Sequence, residues 1–135
     1  MARHPTSRPT DVELQILEVL WQCGPRTVRQ VHDSLAANRD TGYSTTLKMM
    51  QVMRDKGLLL RDDTVRPQLY SAAATCEQTQ LQMVDDLIQR VFRGSANKLV
   101  QRMLSAKRVK PDELKEIQRL VNDAQSKKNS KGRKP

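Results

Sequence analysis

The chain has 135 residues, which is room for one domain of usual size or for one small domain with an appendage that depends on a partner. Aromatic residues make up only 3% of it, so each half alone would have a thin core. The formal net charge of +9 makes a polyanion the first partner to consider, and no apolar run approaches the ~20 residues of a membrane span. We therefore expect a soluble, cytoplasmic protein.

The sequence also argues against an enzyme and against a metal protein. Cys23 and Cys76 form no CxxC pair, and no His lies at metal-ligand spacing from either of them. Paired carboxylates, a Ser or Cys partnered with His, and a glycine-rich phosphate loop do not occur at catalytic spacing. We predict no catalytic residues, no metal site and no cofactor, and two thiols that act as small buried hydrophobes.

The chain begins with a flexible segment, residues 1–9, and order is predicted from Thr10. Thr10 and Glu13 form a capping box that opens the first helix. Its broad apolar face consists of Leu14, Leu17, Val19, Leu20 and Trp21. The helix ends at Gly24, and Arg26 is predicted to be the short connecting strand of a winged fold.

The second helix begins after Thr27 as its cap and has a supporting role. Its inner stripe consists of Val28, Val31 and Leu35, and its outer side of Arg29, Gln30 and Asp33. His32 lies beside the stripe and is predicted to be satisfied or solvent-facing rather than a ligand, since no second ligand lies nearby. Residues 38–42 form the turn that follows.

The third helix, residues 44–57, has both a buried side and an exposed polar side. Ser44 is the predicted N-cap, Tyr43 anchors the start, and Gly57 stops the helix. Thr46, Met49, Met50 and Met53 share one stripe, and the other side carries Ser44, Thr45, Lys48, Gln51 and Asp55. Lys48 and Gln51 are long enough to reach base edges in DNA. From the stripe alone, an ordinary amphipathic helix remains the alternative.

A predicted hairpin follows the third helix and indicates the type of domain. Residues 58–61 are a short apolar run, residues 62–67 are rich in turn formers, and residues 68–71 are a return strand. Arg61 and Arg66 make its tip basic. A helix that runs directly into such a hairpin predicts a winged helix-turn-helix domain over residues 10–74, mainly α with a small β wing.

Three further helices are predicted in residues 75–121. Thr75 opens the first with a capping box, Gly94 ends it, and Pro111 starts the last. The apolar positions are Leu81, Val84, Leu87, Ile88, Val91, Leu99, Met103, Leu114, Ile117 and Leu120. Three short helices bury little by themselves, which predicts a helical dimerisation domain. The alternative is that this stripe folds back on the winged domain of the same chain.

Residues 122–135 carry five basic residues and one acidic residue, so we predict a disordered tail that either aids solubility or contacts DNA without specificity.

Several motifs in this order resemble one family. They are Thr10-Asp11 with Glu13, Thr27-Val28-Arg29-Gln30-Val31, Tyr43-Ser44-Thr45-Thr46, Lys56-Gly57-Leu58 and Tyr70. Over residues 10–121 the chain resembles the BlaI/MecI/CopY family, the penicillinase-repressor type of bacterial transcription regulators. The resemblance implies a winged-helix domain joined to a helical dimerisation domain, with a homodimer that represses by occupying a pseudopalindromic operator.

The resemblance also assigns roles to residues. Ser44, Thr45, Lys48 and Gln51 inherit the contacts of the recognition helix with DNA, and Arg61 and Arg66 inherit phosphate or minor-groove contacts of the wing. Family members are released by a membrane sensor with a zinc protease domain, through cleavage at an Asn-Phe bond.

This chain departs from the family pattern at three places. It has Arg102-Met103 where the cleaved bond is expected, which argues against cleavage at that bond. The copper-responsive members of the family carry a Cys-rich motif at the carboxyl end, and the tail of this chain has no Cys, which argues against copper sensing. It has Val52 where the family often has Arg, so its operator sequence need not match.

The leading hypothesis is thus a dimeric, sequence-specific transcriptional repressor. The alternative is a winged-helix module for protein–protein interaction with a basic solubilising tail, and Lys48 beside small hydroxyls favours DNA over it.

Overall fold

The computed structural model describes residues 8–36 and 41–132 of the chain. The elements in chain order are α1 (Asp11–Cys23), α2 (Val28–Ala36), α3 (Tyr43–Asp55), β1 (Leu59–Asp62), β2 (Leu69–Ala72), α4 (Cys76–Val91), α5 (Ala96–Ser105) and α6 (Pro111–Gly132). These described ranges confirm a mainly α fold with one small β wing, followed by helices. Most of the predicted flexible N-terminus and residues 38–40 of the predicted turn lie outside them.

The helices begin where the sequence places most of their caps. Three cap hydroxyls accept a hydrogen bond from the backbone N–H three residues later: Thr10 from Glu13 at 3.2 Å, Thr27 from Gln30 at 3.1 Å, and Thr75 from Gln78 at 3.0 Å. In each case the later side chain accepts a bond from the backbone N–H of the cap. These capping boxes fix the starts of α1, α2 and α4.

The predicted cap of α3 is wrong. The N-cap lies two residues earlier, at Gly42, which offers no side chain for a hydrogen bond, and the helix begins at Tyr43. The Gly42 carbonyl accepts from the N–H groups of Thr45 and Thr46, each at 3.2 Å. Ser44 therefore lies inside the first turn, where its side chain is exposed and does not cap the helix.

The hairpin that follows α3 is a two-stranded antiparallel sheet. Leu59 pairs with Ala72, and Asp62 pairs with Leu69. On the other edge of β2, Arg26 and Tyr70 exchange two backbone hydrogen bonds of 3.0 and 2.8 Å, as predicted for a short connecting strand. Gly57, with a φ of 87°, makes the turn from α3 into β1, a backbone conformation that glycine adopts without a steric penalty.

One hydrophobic core holds α1, α2, α3 and the hairpin together. Its buried residues are Ile16, Leu17, Leu20, Val28, Val31, Leu35, Met50, Met53, Leu59 and Tyr70. Ile16, which the predicted apolar face of α1 left out, is fully buried, whereas Val19 and Trp21 pack at the edge. The Trp21 Nε1 donates to the Ala74 carbonyl at 2.9 Å and ties α1 to the end of the hairpin.

The chain divides into two compact units, Met1–Asp86 and Leu87–Pro135. The first turns of α4 belong to the first unit, so the domain boundary predicted between residues 74 and 75 stays a prediction. In the second unit, α6 continues to Gly132, and most of the predicted disordered tail is helical. Arg119 pairs with Asp123 across the predicted boundary, and the Ala, Gln and Lys residues that follow are strong helix formers.

Candidate nucleic-acid interface

The exposed side of α3 presents the four residues that were predicted to contact DNA from this helix. Ser44, Thr45, Lys48 and Gln51 are all exposed, and we refer to them as the recognition face. On the opposite side Thr46, Met50 and Met53 are buried to 1% exposure or less. The three- and four-residue spacing separates the two sets, so the core holds the helix by one side and leaves the other available.

The amino end of α3 is fixed to α2 through a cluster of rings. The guanidinium carbon of Arg29 lies 4.2 Å from the centre of the Tyr43 ring. The His32 ring meets the same ring edge-on at 5.8 Å and 85°, and its Nδ1 lies 3.0 Å from the Thr46 hydroxyl. Tyr43 therefore anchors the start of α3, as predicted, and His32 is satisfied.

Arg29 is the residue that sequence reasoning missed in this cluster. It was placed on the outer side of α2 with no role. The signal was present in its spacing, because residues three apart on a helix share a side and Arg29 lies three residues before His32. Its stacking on Tyr43 puts a positive charge next to the recognition face.

The carboxyl end of α3 is held by a buried ion pair with α1. Lys56 Nζ donates to both carboxylate oxygens of Glu13, at 3.0 and 2.9 Å. Glu13 is 5% exposed, and its Oε1 also accepts from the Thr10 backbone N–H at 3.0 Å. With both ends held, α3 presents the recognition face on a rigid support, which side chains that meet base edges require.

The two arginines of the wing stand in different surroundings. Arg61 donates through Nε to Asp63 at 2.6 Å and through Nη2 at 3.3 Å. The hydrogen bond to Asp63, with a smaller one to Tyr70, raises the pKa of Arg61 above its ordinary value. Arg66 is exposed, and no ion pair with a described residue involves it. The structure thus presents Arg66 outward and turns Arg61 toward a carboxylate of its own wing.

The tip of the wing is balanced in charge rather than basic. Asp62 accepts from the backbone N–H and the hydroxyl of Thr64, at 2.9 and 2.5 Å, and these bonds lower the pKa of Asp62. Residues 61–66 therefore carry two cations and two carboxylates. The contacts that Arg61 and Arg66 were predicted to make with DNA stay predictions, and Arg66 is the better placed of the two.

Most of the residues predicted for dimerisation are exposed in the single chain. Leu81 and Val91 are each 62% exposed and Leu120 is 53% exposed. Val84, Leu87, Met103 and Leu114 are also exposed, and Ile88, Leu99 and Ile117 are half-buried. No residue of α5 is buried. Leu81 and Val84 belong to the first unit and the others to the second, whose described helices therefore present apolar side chains at helical spacing that the unit does not cover.

The prediction that both thiols act as small buried hydrophobes is wrong for Cys23, which is exposed because it lies at the last position of α1, beyond the buried residues of that helix. Cys76 is half-buried, and neither thiol is in a disulfide. Within residues 8–36 and 41–128, no three His, Cys, Asp or Glu side chains come close enough to hold a metal ion. No helix in the described part of the chain is long and apolar enough to cross a membrane.

Comparison with known proteins identifies a family and two curated relatives. A family model described as penicillinase repressor matches residues 9–123. Two curated relatives are 35% identical to the chain over 91 residues, and both are called transcriptional regulator BlaI, from Mycobacterium tuberculosis strains CDC 1551 / Oshkosh and ATCC 25618 / H37Rv. The aligned part covers 66% of this chain and 66% of each relative, which is just under two thirds of their length.

Proposed function

Since the chain belongs to the penicillinase repressor family, we propose that it binds an operator in a sequence-specific manner and represses transcription as a homodimer. The family confirms the resemblance found in the sequence. It is a family of transcriptional repressors and not of enzymes, in agreement with the prediction that the chain is not an enzyme.

The recognition face of α3 is the observation that supports DNA reading best. The major groove of B-DNA is about 12 Å wide and admits an α-helix. Ser44 and Thr45 at the amino end are short enough for close approach to phosphates, and the exposed Lys48 and Gln51 are long enough to donate to base edges. Met50 and Met53 on the opposite side are buried in the core, and this burial fixes the orientation of the helix about its own axis.

A homodimer is supported by the uncovered apolar residues of the second unit. Two copies that bury these residues against each other would carry two recognition faces. Each face would then enter its own half-site, about 34–36 Å or one helical turn apart, which requires an operator with approximate two-fold symmetry. Repression would follow from occupation of the promoter by the dimer. The expected membrane sensor and protease partner stays a prediction, and the Arg102-Met103 bond lies within α5.

The wing gives the alternative function one observation in its favour. Leu60 is 58% exposed and Val65 is 38% exposed, and residues 61–66 of the tip have no net charge. A protein-interaction module would use such a surface. Because the recognition face presents Lys48 beside the short hydroxyls of Ser44 and Thr45, we place DNA binding first.

The decisive experiment is selection of bound fragments from a genomic library at two salt concentrations, followed by sequencing of those that survive the higher one. We expect a shared inverted repeat. Retention that is salt-sensitive and independent of sequence would remove the role of α3 in reading DNA, and the protein-interaction function would take its place.

Lys48→Ala then tests the recognition face itself. We expect it to reduce the preference for operator over random DNA by about 1 to 3 kcal/mol, the value of one good base contact. Titration of both DNAs measures it. Lys127→Ala in α6, which removes the same charge from the second unit, is the matched control and should leave that preference unchanged.

A further inference from the structure

A shallow apolar groove interrupts the polar surface of α3. It is lined by Ser44, Thr45, Lys48, Met49 and Val52. Val52 lies four residues after Lys48 and seven after Thr45, so the three share one stripe along the helix. The groove therefore lies within the surface that is proposed to meet DNA.

Val52 lies on the exposed side of α3, next to two residues that the core buries. Met50 and Met53, its neighbours on α3, are fully buried, whereas Val52 is 41% exposed. Met49 is partly buried against the core and forms the floor of the groove. A single exposed valine is common on protein surfaces, but this one belongs to a lined groove beside a lysine.

The chemistry of base edges selects what such a groove can accept. In the major groove, thymine presents a methyl group, whereas guanine, cytosine and adenine present only hydrogen-bond donors and acceptors. The side chain of Val52 has no polar atom, so opposite a polar edge it would leave a donor or acceptor unpaired. In a helix the χ1 angle of valine has one strongly preferred value, so its two methyl groups are presented with little loss of freedom on binding.

We propose that Val52, above the floor formed by Met49, binds the 5-methyl group of a thymine in each operator half-site and thereby determines specificity. This inference deepens the proposed function and rests on it. Lys48, one turn earlier on the same stripe, supplies donors to an adjacent base edge, and guanine is the base that lysine contacts most often.

The test removes the methyl group from the DNA and not from the protein. Each thymine of the selected operator is replaced in turn by deoxyuridine, which differs only by that methyl group. Binding of the full-length chain is then measured by titration at fixed salt. We expect one thymine position in each half-site to weaken binding by about four-fold on replacement, equivalent to about 0.8 kcal/mol for one buried methyl-sized group.

Val52→Ala is the corresponding change in the protein, and together with the deoxyuridine operators it forms a double-mutant cycle. This variant should bind the thymine operator about four-fold more weakly for each half-site, and should bind the thymine and deoxyuridine operators equally at that position. Gln51→Ala is the matched control, because Gln51 is the adjacent exposed residue of the same helix. It should weaken binding but keep the full sensitivity to deoxyuridine. Alanine is a good helix former at an exposed position, and thermal unfolding of both variants verifies that α3 is intact.

The outcomes separate the inference from the function on which it rests. If selection returns no inverted repeat, the proposed function fails first and the inference falls with it. If the operator is selected but no thymine is sensitive to loss of its methyl group, or if Val52→Ala remains as sensitive as the unchanged chain, only the inference is overturned.

Discussion

The two units of the chain use the same apolar residue types and reach opposite degrees of burial. In the first unit, three helices and a hairpin surround a core whose ten residues all lie between Ile16 and Tyr70. In the second unit, α5 buries no residue, and Leu120 and Val121 of α6 are 53% and 50% exposed. Both units show helical periodicity, so periodicity identifies which residues face inward without showing what covers them.

This contrast follows from the number of elements that share each core. The hairpin closes one side of the first unit through Leu59 and Tyr70, which are nearly fully buried. In the second unit, the described residues form only the end of α4, α5 and α6. A small helical set exposes too much apolar surface to be stable alone, and association with a second copy is one of the common solutions.

Leu120→Glu should have the largest effect, because Leu120 is one of the apolar residues that the second unit leaves uncovered. If a second copy covers Leu120, the substitution places an unpaired carboxylate in an apolar interface twice per dimer, and we expect dimerisation to weaken by about 3 kcal/mol or more. Sedimentation velocity measures the shift to monomer. Operator binding should weaken in parallel, because two half-sites would no longer be held by one dimer.

Ser126→Glu is the matched control for that substitution. It adds the same charge to α6, on the side away from Leu114, Ile117 and Leu120, and the dimer should persist. In a chain that functions as a monomer, both substitutions would be ordinary surface changes within about 0.5 kcal/mol of each other in the free energy of unfolding. That result would contradict the proposed dimer.

Much of the first unit could be predicted from local chemistry. The caps at Thr10, Thr27 and Thr75, the stop at Gly57 and the pairing of Arg26 all depend on residues close in sequence or on the short wing. Such signals act within one turn of a helix or one hairpin, and a sequence displays them directly.

Other features could not be predicted because they depend on distance in space. The partners Glu13 and Lys56 are 43 residues apart, and nothing in either neighbourhood indicates the other. Arg61 and Arg66 look alike in the sequence, yet only the folded wing shows that Asp63 engages the first of them. The length of α6 was missed because polarity was taken as a sign of disorder, although its residues favour a helix.

Lys56→Met should have the next largest effect. It removes the ion pair of Lys56 with Glu13 in the first unit, for comparison with the pairs of Arg119 in the second. It keeps the aliphatic part of the side chain but leaves Glu13, 5% exposed, without its cation. Breaking a fully buried pair costs about 3–5 kcal/mol, and because Lys56 is partly exposed we expect the free energy of unfolding to fall by about 2 kcal/mol. Denaturant unfolding measures it.

Arg119→Met provides the matched comparison in the second unit. Arg119 pairs with both Glu116 and Asp123, but all three side chains are more than half exposed. Solvent and salt screen exposed pairs, so this variant should lose much less stability than Lys56→Met. Equal losses would show that the first unit gains nothing from burying its ion pair.

Arg66→Ala should have the smallest effect. It tests the difference between the two arginines of the wing, since Arg61 is paired with Asp63 and Arg66 is exposed. Each phosphate contact contributes about 0.9 to the slope of log affinity against log salt for duplex DNA. If Arg66 contacts a phosphate, its removal should reduce that slope by about one for each half-site, and should weaken operator and random DNA alike.

Arg61→Ala is the comparison for that substitution. The charge of Arg61 is already balanced by Asp63 at 2.6 Å, so its removal should change the slope much less. Equal changes would mean that DNA displaces Asp63 from Arg61 on binding, and Asp63→Asn would then raise the affinity for both DNAs by freeing that cation in advance.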